Sequence, residues 1–328
     1  MMKRTLPVLR QTVEDSVVST RIGRAAAVAA FMIASTLSAT EYAGDFELLG
    51  TSARAIGMGG AVVASATGPT AIYYNPALAS RSERTRVFAL HSEDFSGLLQ
   101  HNFIGVAIPS GLQSFGVAIL HNGIPGIKLT RLPNPDLPPS DSNRPIVDKI
   151  VSANQFVAYL NYSRILSPWV SVGGNAKFIY QNLYVGSCFG MGVDLGLAVS
   201  PGAGIDVGLR ARNLSTSPLF WTTGTTEYVE PQLALGINKK FEFGASAFSA
   251  AIEAEMNVDD LQPGANLGVE YSFRNSLFAR LGAHQGNFTF GLGARYRRFF
   301  VDYGYASGYA RGSQELGSSQ QVSGGVEF

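Results

Sequence analysis

The residues with the clearest potential for chemistry are acidic side chains at alternate positions. Glu253 and Glu255 lie two residues apart, so on a β-strand they would share one face at a separation of about 7 Å. Carboxyl groups at that separation could serve as a general acid and a general base. No array of sugar-binding aromatic residues converges on them, and many other carboxylates recur at alternate positions. We therefore predict no catalytic site, with an enzyme built on a barrel kept as an alternative.

Metal and nucleophile chemistry have less support. The histidines have no spacing typical of a metal site, and no cysteine pair accompanies them. No G-x-S-x-G motif marks a nucleophile on a strand-to-helix turn. The single cysteine, Cys188, excludes an intrachain disulfide. The sequence therefore predicts neither a metal ion nor a cofactor.

The composition narrows the class of protein. Basic and acidic residues number 25 and 24, so no excess of positive charge is available for nucleic acid. Charged residues make up only 15% of the chain, whereas hydrophobic residues reach 46%. Beyond the N-terminal region, no run approaches the roughly 20 apolar residues of a membrane-spanning helix. This combination predicts an all-β protein, a transmembrane antiparallel β-barrel in which alternate residues face lipid and lumen.

From Thr85 onward the chain alternates between apolar and polar residues in short runs. In "ANLGVEYSF" the apolar residues at 267, 269, 271 and 273 share one face, and the residues between them share the other. The 14 predicted strands are 85–92, 98–109, 112–122, 150–165, 168–184, 188–200, 203–213, 228–240, 246–257, 264–273, 276–285, 287–297, 299–308 and 319–328.

The links between these strands differ in length by position. Every even-numbered link is a turn of a few residues, whereas the odd-numbered links include the long ones, at 123–149, 213–228, 257–263 and 308–318. Outer-membrane barrels have short periplasmic turns and long extracellular loops. The parity therefore supports 14 strands, with both termini in the periplasm. The 123–149 link carries six of the 15 prolines, so we predict an exposed loop there that does not pair as a central strand.

Charged residues within the strands must face the barrel interior, because a charge on the lipid side costs about 2–4 kcal/mol at the bilayer midplane. The predicted lumen-facing residues are Lys177, Asp194, Asp206, Arg210, Glu253, Glu255, Glu270, Arg280, Arg295 and Asp302. Both a salt-bridged network that fills the lumen and a polar conduit fit this set. Interspersed signs favour the network, since a selective pore usually shows one dominant sign.

The N-terminal region divides into two parts. Residues 1–39 have the basic, apolar and small-residue pattern of a signal peptide. Residues 40–84 lack lipid-facing alternation and are rich in small residues, so we expect a plug or hatch inside the barrel (85–328), whose lumen is too wide for its own side chains to fill. The expected plug residues are Arg54, Gly57, Gly59, Gly60, Asn75 and Pro76. The stretch "GMGGA" does not match the G-x-G-x-x-G dinucleotide pattern.

Three further residues are candidates for contacts outside the lumen. Phe328 shares the lipid-facing parity of "QQVSGGVEF", so we expect a C-terminal signal for the outer-membrane barrel assembly machinery. Phe220 and Trp221 lie in the 213–228 link and are apolar anchors of the kind that dominate interfaces. We therefore predict that these two residues contact a partner.

Several stretches resemble the PorV/PorQ family of outer-membrane proteins. They are "ELLGTSARAIGMGGAVVASATGPTAIYYNPALAS", "FIGVAIPSGLQSFGVAILHNGIPGI" and the tail "FGLGARYRRFFVDYGYAS" with "VSGGVEF". The likeness covers essentially the whole mature chain. That family is related to FadL-type transporters of hydrophobic compounds, which share the small-residue stretch followed by Asn-Pro and have a 14-stranded barrel with an N-terminal hatch. The resemblance implies a role in type IX secretion, in which the best-known member type receives cargo from the translocon.

Two functions thus stand beside the enzyme alternative. The main prediction is a protein in the outer membrane of a Gram-negative bacterium, associated with type IX secretion, that binds secretion-system proteins or cargo at the cell surface. The alternative is a FadL-like channel for small hydrophobic molecules, which needs an apolar pocket and a lateral opening or kinked strand. The expected partners are outer-membrane lipid, the barrel assembly machinery, secretion proteins or cargo and a small hydrophobic ligand, without nucleic acid.

Overall fold

The computed structural model describes residues 42–43, 45–94, 97–214, 216–258, 264–308 and 318–328. The predicted signal peptide, residues 1–39, lies outside these ranges. The described chain begins with strand β1 (Tyr42–Ala43), a 3-10 helix (Asp45–Glu47), helix α1 (Ala53–Gly57), helix α2 (Pro69–Tyr74) and a second 3-10 helix (Pro76–Arg81). No helix within these ranges is long and apolar enough to cross a membrane.

The remainder of the described chain is built from strands. They are β2 (Arg86–Asp94), β3 (Leu99–Ser110), β4 (Gln113–Arg131), β5 (Ile146–Ser167), β6 (Val170–Leu183), β7 (Gly186–Gly202), β8 (Ile205–Arg212), β9 (Ser217–Trp221), β10 (Thr226–Val229), β11 (Gln232–Phe243), β12 (Ser246–Asn257), β13 (Gly264–Phe273), β14 (Leu277–His284), β15 (Asn287–Tyr296), β16 (Phe299–Ala306) and β17 (Ser319–Glu327).

Fourteen of these described strands, β2 to β8 and β11 to β17, form one closed ring. Each pairs antiparallel with its neighbours, and β8 pairs directly with β11. β17 returns to β2, with Gln321 opposite Ser92, so the ring has no free edge. The predicted fold class, an all-β antiparallel barrel of 14 strands, is confirmed. Closure satisfies the backbone hydrogen bonds within the wall, as a strand structure in lipid requires.

The connections sort by length between the two ends of the barrel. Six connections at one end contain two or three residues each, and we call this the short-turn end. The other, the long-loop end, carries the longer connections, including 132–145 and 307–318. This sorting is the one that the loop parity predicts.

Alternation along the strands separates an apolar outer face from a buried inner face. On β13, Leu267 and Tyr271 are exposed, whereas Asn266 and Ser272 are buried. Exposed aromatic residues on the outer face gather near the short-turn end (Phe115, Tyr162, Trp169, Phe243, Phe273, Tyr296 and Phe299) and near the long-loop end (Tyr180, Tyr184, Phe189, Phe220 and Phe288). Two aromatic girdles of this kind mark the interfaces of membrane barrels.

The predicted 123–149 loop is wrong at both of its ends. β4 and β5 continue to pair well into it, with Lys128 opposite Ile150. The ladder shifts register at Pro125 and Gly126, because proline has no N–H to donate and Gly126 adopts a φ of 70°. The bulge leaves Pro125 out of the hydrogen-bond ladder, so pairing resumes beyond it. β4 and β5 therefore extend into the region where a loop was expected.

The predicted 213–228 loop also contains strands, because β9 and β10 form a hairpin there. β9 pairs with β7, and Phe220 lies opposite Phe189 on the exposed outer side. Trp221 lies opposite Cys188 and packs against the buried core. Trp221 is therefore half-buried and lies in a strand rather than in an open loop. Contact of Phe220 and Trp221 with a partner stays a prediction.

Candidate functional site in the barrel lumen

Residues 46–82, the N-terminal segment, lie against the inner wall as short helices and turns. Gly68, with a φ of 59°, precedes Pro69, which occupies the first turn of α2, where a missing N–H costs nothing. Asn75 ends α2 and caps the next 3-10 helix, because its Oδ1 accepts a hydrogen bond of 3.2 Å from the N–H of Ala77. Helices of five or six residues are unstable alone, so packing against the barrel must hold them.

Glycines on the inner face let the N-terminal segment approach the strand backbones. A Cβ added at Gly291 would lie 3.0 Å from the Cα of Gly57, and one at Gly268 would lie 2.9 Å from the carbonyl carbon of Met58. Similar close approaches occur on ten of the described strands. These glycines, the glycine belt, are Gly105, Gly116, Gly173, Gly196, Gly208, Gly236, Gly268, Gly282, Gly291 and Gly304. At most of these positions, even the Cβ of an alanine would push the N-terminal segment or the wall strands out of place.

The predicted plug glycines lie in the turn after α1. Gly59 and Gly60 have φ values of 60° and 83°, a region that favours glycine. The N–H of Gly60 donates to the carbonyl oxygen of Ala55 at 2.8 Å, which closes the turn. A Cβ on Gly59 would lie 2.6 Å from the carbonyl oxygen of Ala283 on β14. Glycine is therefore favoured in this turn for two reasons, the positive φ values and the close approach of β14.

Asn75 and Pro76 tie the N-terminal segment to the wall. The fully buried Nδ2 of Asn75 donates to the carbonyl oxygens of Val63 at 2.8 Å and Leu197 at 3.1 Å. The carbonyl oxygen of Pro76 accepts a hydrogen bond of 3.4 Å from Asn161. Asn75 thus joins two parts of the N-terminal segment to each other and to β7, with both of its amide atoms used.

Arg54 belongs to a four-membered charge network. It forms two hydrogen bonds with Glu270, of 2.9 Å from Nε and 3.1 Å from Nη2, and its Nη1 donates to the carbonyl oxygen of Ser65 at 3.0 Å. Glu270 also accepts from Arg280 at 2.6 Å, and Arg280 donates to Asp302 at 2.6 Å. Two guanidinium groups thus match two carboxylates across β13, β14, β16 and the N-terminal segment.

A second charge cluster contains Glu47, which no sequence pattern marks. The Nζ of Lys177 lies 3.0 Å from both carboxylate oxygens of Glu47 and 3.1 Å from Oδ1 of Asp194. Glu47 also accepts hydrogen bonds of 3.1 Å from Asn213 and 3.2 Å from the hydroxyl of Tyr159. All five side chains are buried, so the ammonium group is needed to compensate the carboxylates.

The carboxylates of Glu253 and Glu255 have different partners. Glu253 accepts a hydrogen bond of 2.8 Å from the backbone N–H of Val63, and Glu255 accepts one of 2.8 Å from Arg210. Glu253 therefore joins the N-terminal segment to the wall, whereas Glu255 pairs with a guanidinium group of the wall itself. Asp206, on β8, accepts from the hydroxyl of Ser200.

The inner wall has an apolar side, which the alternation does not reveal because β2 to β5 carry apolar residues on both faces. Its buried residues from β2 to β6 are Phe88, Leu90, Phe103, Leu120, Val157, Tyr159 and Ile179. They form one cluster with Ile72, Tyr73 and other apolar residues of the N-terminal segment. The lumen thus has an apolar patch on β2 to β6, beside buried polar groups of the same strands such as His101, Asn161 and Lys177, and it is charged along β8 to β16.

One interruption of the wall lies between β8 and β9. Asn213 and Thr216 have positive φ values of 52° and 60°, which break the extended strand. β7 pairs with β8 on one side of this break and with β9 on the other. The side chain of Asn213 is one of the groups that bind Glu47, so the interruption contacts the N-terminal segment directly.

A cavity of about 410 Å³ lies at the short-turn end, between the N-terminal segment and the wall. Its lining combines guanidinium groups, among them Arg81, Arg86 and Arg295, with the rings of Phe278 and Phe300. Among the described residues, no group of three or more histidine, cysteine or acidic side chains could hold a metal ion.

The last strand ends at the same end of the barrel. The N–H of Phe328 donates to the carbonyl oxygen of Thr85 at 2.9 Å, and the ring is exposed on the outer side. Its role as an assembly signal stays a prediction.

No protein-family model and no curated protein matches the chain. Solved structures match its fold. The Pseudomonas putida toluene transporter TodX has a TM-score of 0.58 at 14% identity, over 85% of this chain and 98% of that chain. The Ralstonia pickettii toluene transporter TbuX has a TM-score of 0.53 at 14% identity, over 86% and 98%. A Pseudomonas aeruginosa FadL homologue has a TM-score of 0.52 at 11% identity, over 85% and 98%.

At sequence identities of 11–14%, these matches show a shared fold and nothing further. The chain has the barrel fold of FadL-type outer-membrane channels. The comparisons agree in fold with the FadL-like part of the expected resemblance and leave its PorV/PorQ part, with type IX secretion, without support.

Proposed function

We propose that this protein is an outer-membrane channel for small hydrophobic molecules, closed in this conformation by the N-terminal segment. The observation that carries the proposal is the apolar patch on the lumen side of β2 to β6, formed by residues such as Phe103, Leu120 and Val157. A lumen for hydrophilic solutes is polar, as in porins. An apolar wall instead favours solutes that gain about 25 cal/mol for each Å² of apolar surface removed from water.

Two further observations support this proposal. The fold neighbours include proteins named as toluene transporters, and toluene is a small apolar molecule. The wall is interrupted between β8 and β9, where Asn213 contacts the N-terminal segment through Glu47. An interruption of this kind is the feature that a FadL-like channel needs in addition to an apolar surface.

Movement of the N-terminal segment is the proposed opening step. Its hydrogen bonds and ion pairs with the wall hold it in place, and those of Arg54 and Asn75 come from residues expected to form the plug. The glycine belt provides a close fit without large side chains. A solute can pass along the apolar side only when part of this contact is released.

Binding of a protein partner at the long-loop end is a second candidate. Residues 124–151, the outer arm, are formed by the extended ends of β4 and β5 and the connection between them. Their exposed apolar side chains include Leu137, Ile146, Val147 and Ile150. Exposed apolar groups of this kind mark interaction surfaces. A role in type IX secretion would use such a surface and stays a prediction.

Uptake of radiolabelled toluene by cells that lack a hydrocarbon channel tests the channel proposal. Cells with the protein in their outer membrane should take up toluene faster than cells with an empty vector. The isosteric change Val157→Thr should slow uptake, because it places a hydroxyl on the apolar side of the lumen. Val193→Thr on the exposed face of β7 is the matched control and should have no effect. Uptake equal to that with the empty vector would refute the channel.

A further inference from the structure

On the side formed by Arg86 and Arg295, the cavity at the short-turn end has more guanidinium groups than carboxylates. Arg86 forms an ion pair with Glu327, and the Nη2 of Arg295 lies 3.7 Å from the same carboxylate. Two guanidinium groups therefore share one carboxylate. Among the described residues, the Nε of Arg295 is one of the buried nitrogen atoms without a hydrogen-bond partner. This side of the cavity retains donors and one positive charge.

The remaining acidic groups of the lining do not supply that missing charge. Glu270 and Asp302 are bound by Arg54 and Arg280, two carboxylates to two guanidinium groups. The third, Asp206, accepts a hydrogen bond from the hydroxyl of Ser200, to which Arg81 also donates. A cation that entered the cavity would meet carboxylates already engaged. An anion would meet Arg295, whose planar group can donate two parallel hydrogen bonds to a carboxylate.

Aromatic rings stand beside the same guanidinium groups. The Cζ of Arg295 lies 5.9 Å from the ring centre of Phe278, and the Cζ of Arg86 lies 5.2 Å from that of Phe300. Phe300 stacks on Phe88, with ring centres 6.2 Å apart. A flat aromatic ligand can therefore pack against the rings and under a guanidinium plane at once.

The size of the cavity fits such a ligand. An apolar cavity of roughly 150 Å³ holds a benzene molecule. The cavity here has about 410 Å³, which leaves room for a substituted ring and for water around its charged group.

We infer that this cavity binds a small aromatic carboxylate of the benzoate class, with its carboxylate on Arg295 and its ring between Phe278 and Phe300. The site is separate from the proposed passage of uncharged hydrophobic molecules, because binding requires no movement of the N-terminal segment. Failure of toluene uptake would therefore leave the benzoate site intact. Failure of benzoate binding would likewise leave the channel proposal intact.

Calorimetric titration of the purified full-length barrel in detergent tests the site, with benzoate, benzyl alcohol and acetate as probes. Benzoate should bind at least about tenfold more tightly than benzyl alcohol, the effect expected of a charge-assisted hydrogen bond. Arg295→Gln should weaken benzoate binding by about tenfold and leave benzyl alcohol unchanged. Arg298→Gln, in the exposed adjoining turn, removes the same charge at the same end of the barrel and should have no effect.

Three results would overturn the inference. They are equal binding of benzoate and benzyl alcohol, equal binding of benzoate by the Arg295→Gln and Arg298→Gln proteins, and absence of benzoate binding. Acetate that binds as tightly as benzoate would show a simple anion site and would refute the assignment of an aromatic ligand. Heat-dependent mobility of the barrel on gels verifies that each variant is folded.

Discussion

Alanine at both Gly268 and Gly282 is expected to release the N-terminal segment from β13 and β14 and to open the lumen to ions. The added Cβ atoms would lie 2.9 Å and 2.6 Å from the carbonyl carbon of Met58, which is backbone and cannot rotate away. Overpacking of this kind costs about 1–3 kcal/mol at each site. If that cost falls on the closed state, the open population rises by about tenfold or more.

Single-channel recording in planar bilayers measures this change as open probability. Gly174→Ala is the matched control, because it adds the same methyl group on β6 outside the glycine belt, where the nearest atom, the carbonyl oxygen of Asp194, is 3.2 Å away. The control should behave as the wild type. A folded double variant with wild-type conductance would mean that the glycine belt does not hold the lumen closed.

Lys177→Met is expected to destabilise the protein strongly. The change leaves the buried carboxylates of Glu47 and Asp194 without their ammonium partner. Removing one member of a buried ion pair costs about 3–5 kcal/mol, because the remaining charge stays in a dry site. Loss of the ammonium group should also loosen the N-terminal segment, since Glu47 belongs to that segment.

The midpoint of urea unfolding, measured on the barrel in lipid vesicles, reports this effect. Lys128→Met removes the same charge from an exposed position on the outer arm and should leave the midpoint almost unchanged. Equal midpoints for the two variants would show that the cluster around Glu47 contributes nothing to stability.

Period-two alternation was enough to predict most of the barrel. The bounds of β12 and β13 agree with the predicted strands 246–257 and 264–273, because each strand alternates cleanly between one lipid-facing and one inner row. The extension of β4 could not be predicted, since a bulge at Pro125 and Gly126 is a tertiary solution to a missing N–H. β9 and β10 were missed because segments of five and four residues carry too little periodic signal.

The contacts of the N-terminal segment were beyond sequence analysis for a different reason. Glu47 meets Lys177 across a separation of 130 residues, and Arg54 meets Glu270 across 216. Alternation tells which side of the wall a charge faces, but it does not tell which charge lies opposite. Glu47 also stands in "GDFELLG", where no repeat or spacing distinguishes it.

The glycine belt is the signal that a closer analysis of the sequence could have found. Its members on β13 to β16, including Gly268, Gly282 and Gly291, occupy inner positions that alternate with apolar outer residues. Glycine weakens a strand, so its recurrence on one face indicates close approach by another backbone. That inference would have identified the part of the wall that faces the N-terminal segment.

A reversible disulfide between the N-terminal segment and the wall tests the central claim most directly. A Cβ at Gly236 would lie 2.6 Å from Cγ1 of Val63, so cysteines at both positions are within reach of an S–S bond. The wild type, whose only cysteine is Cys188, controls for the reductant itself. The measurement is toluene uptake by cells with the Val63→Cys, Gly236→Cys protein, before and after reduction. Our account predicts no uptake above the empty-vector level while the bond is intact and recovery once it is reduced. Equal, rapid uptake in both states would contradict it.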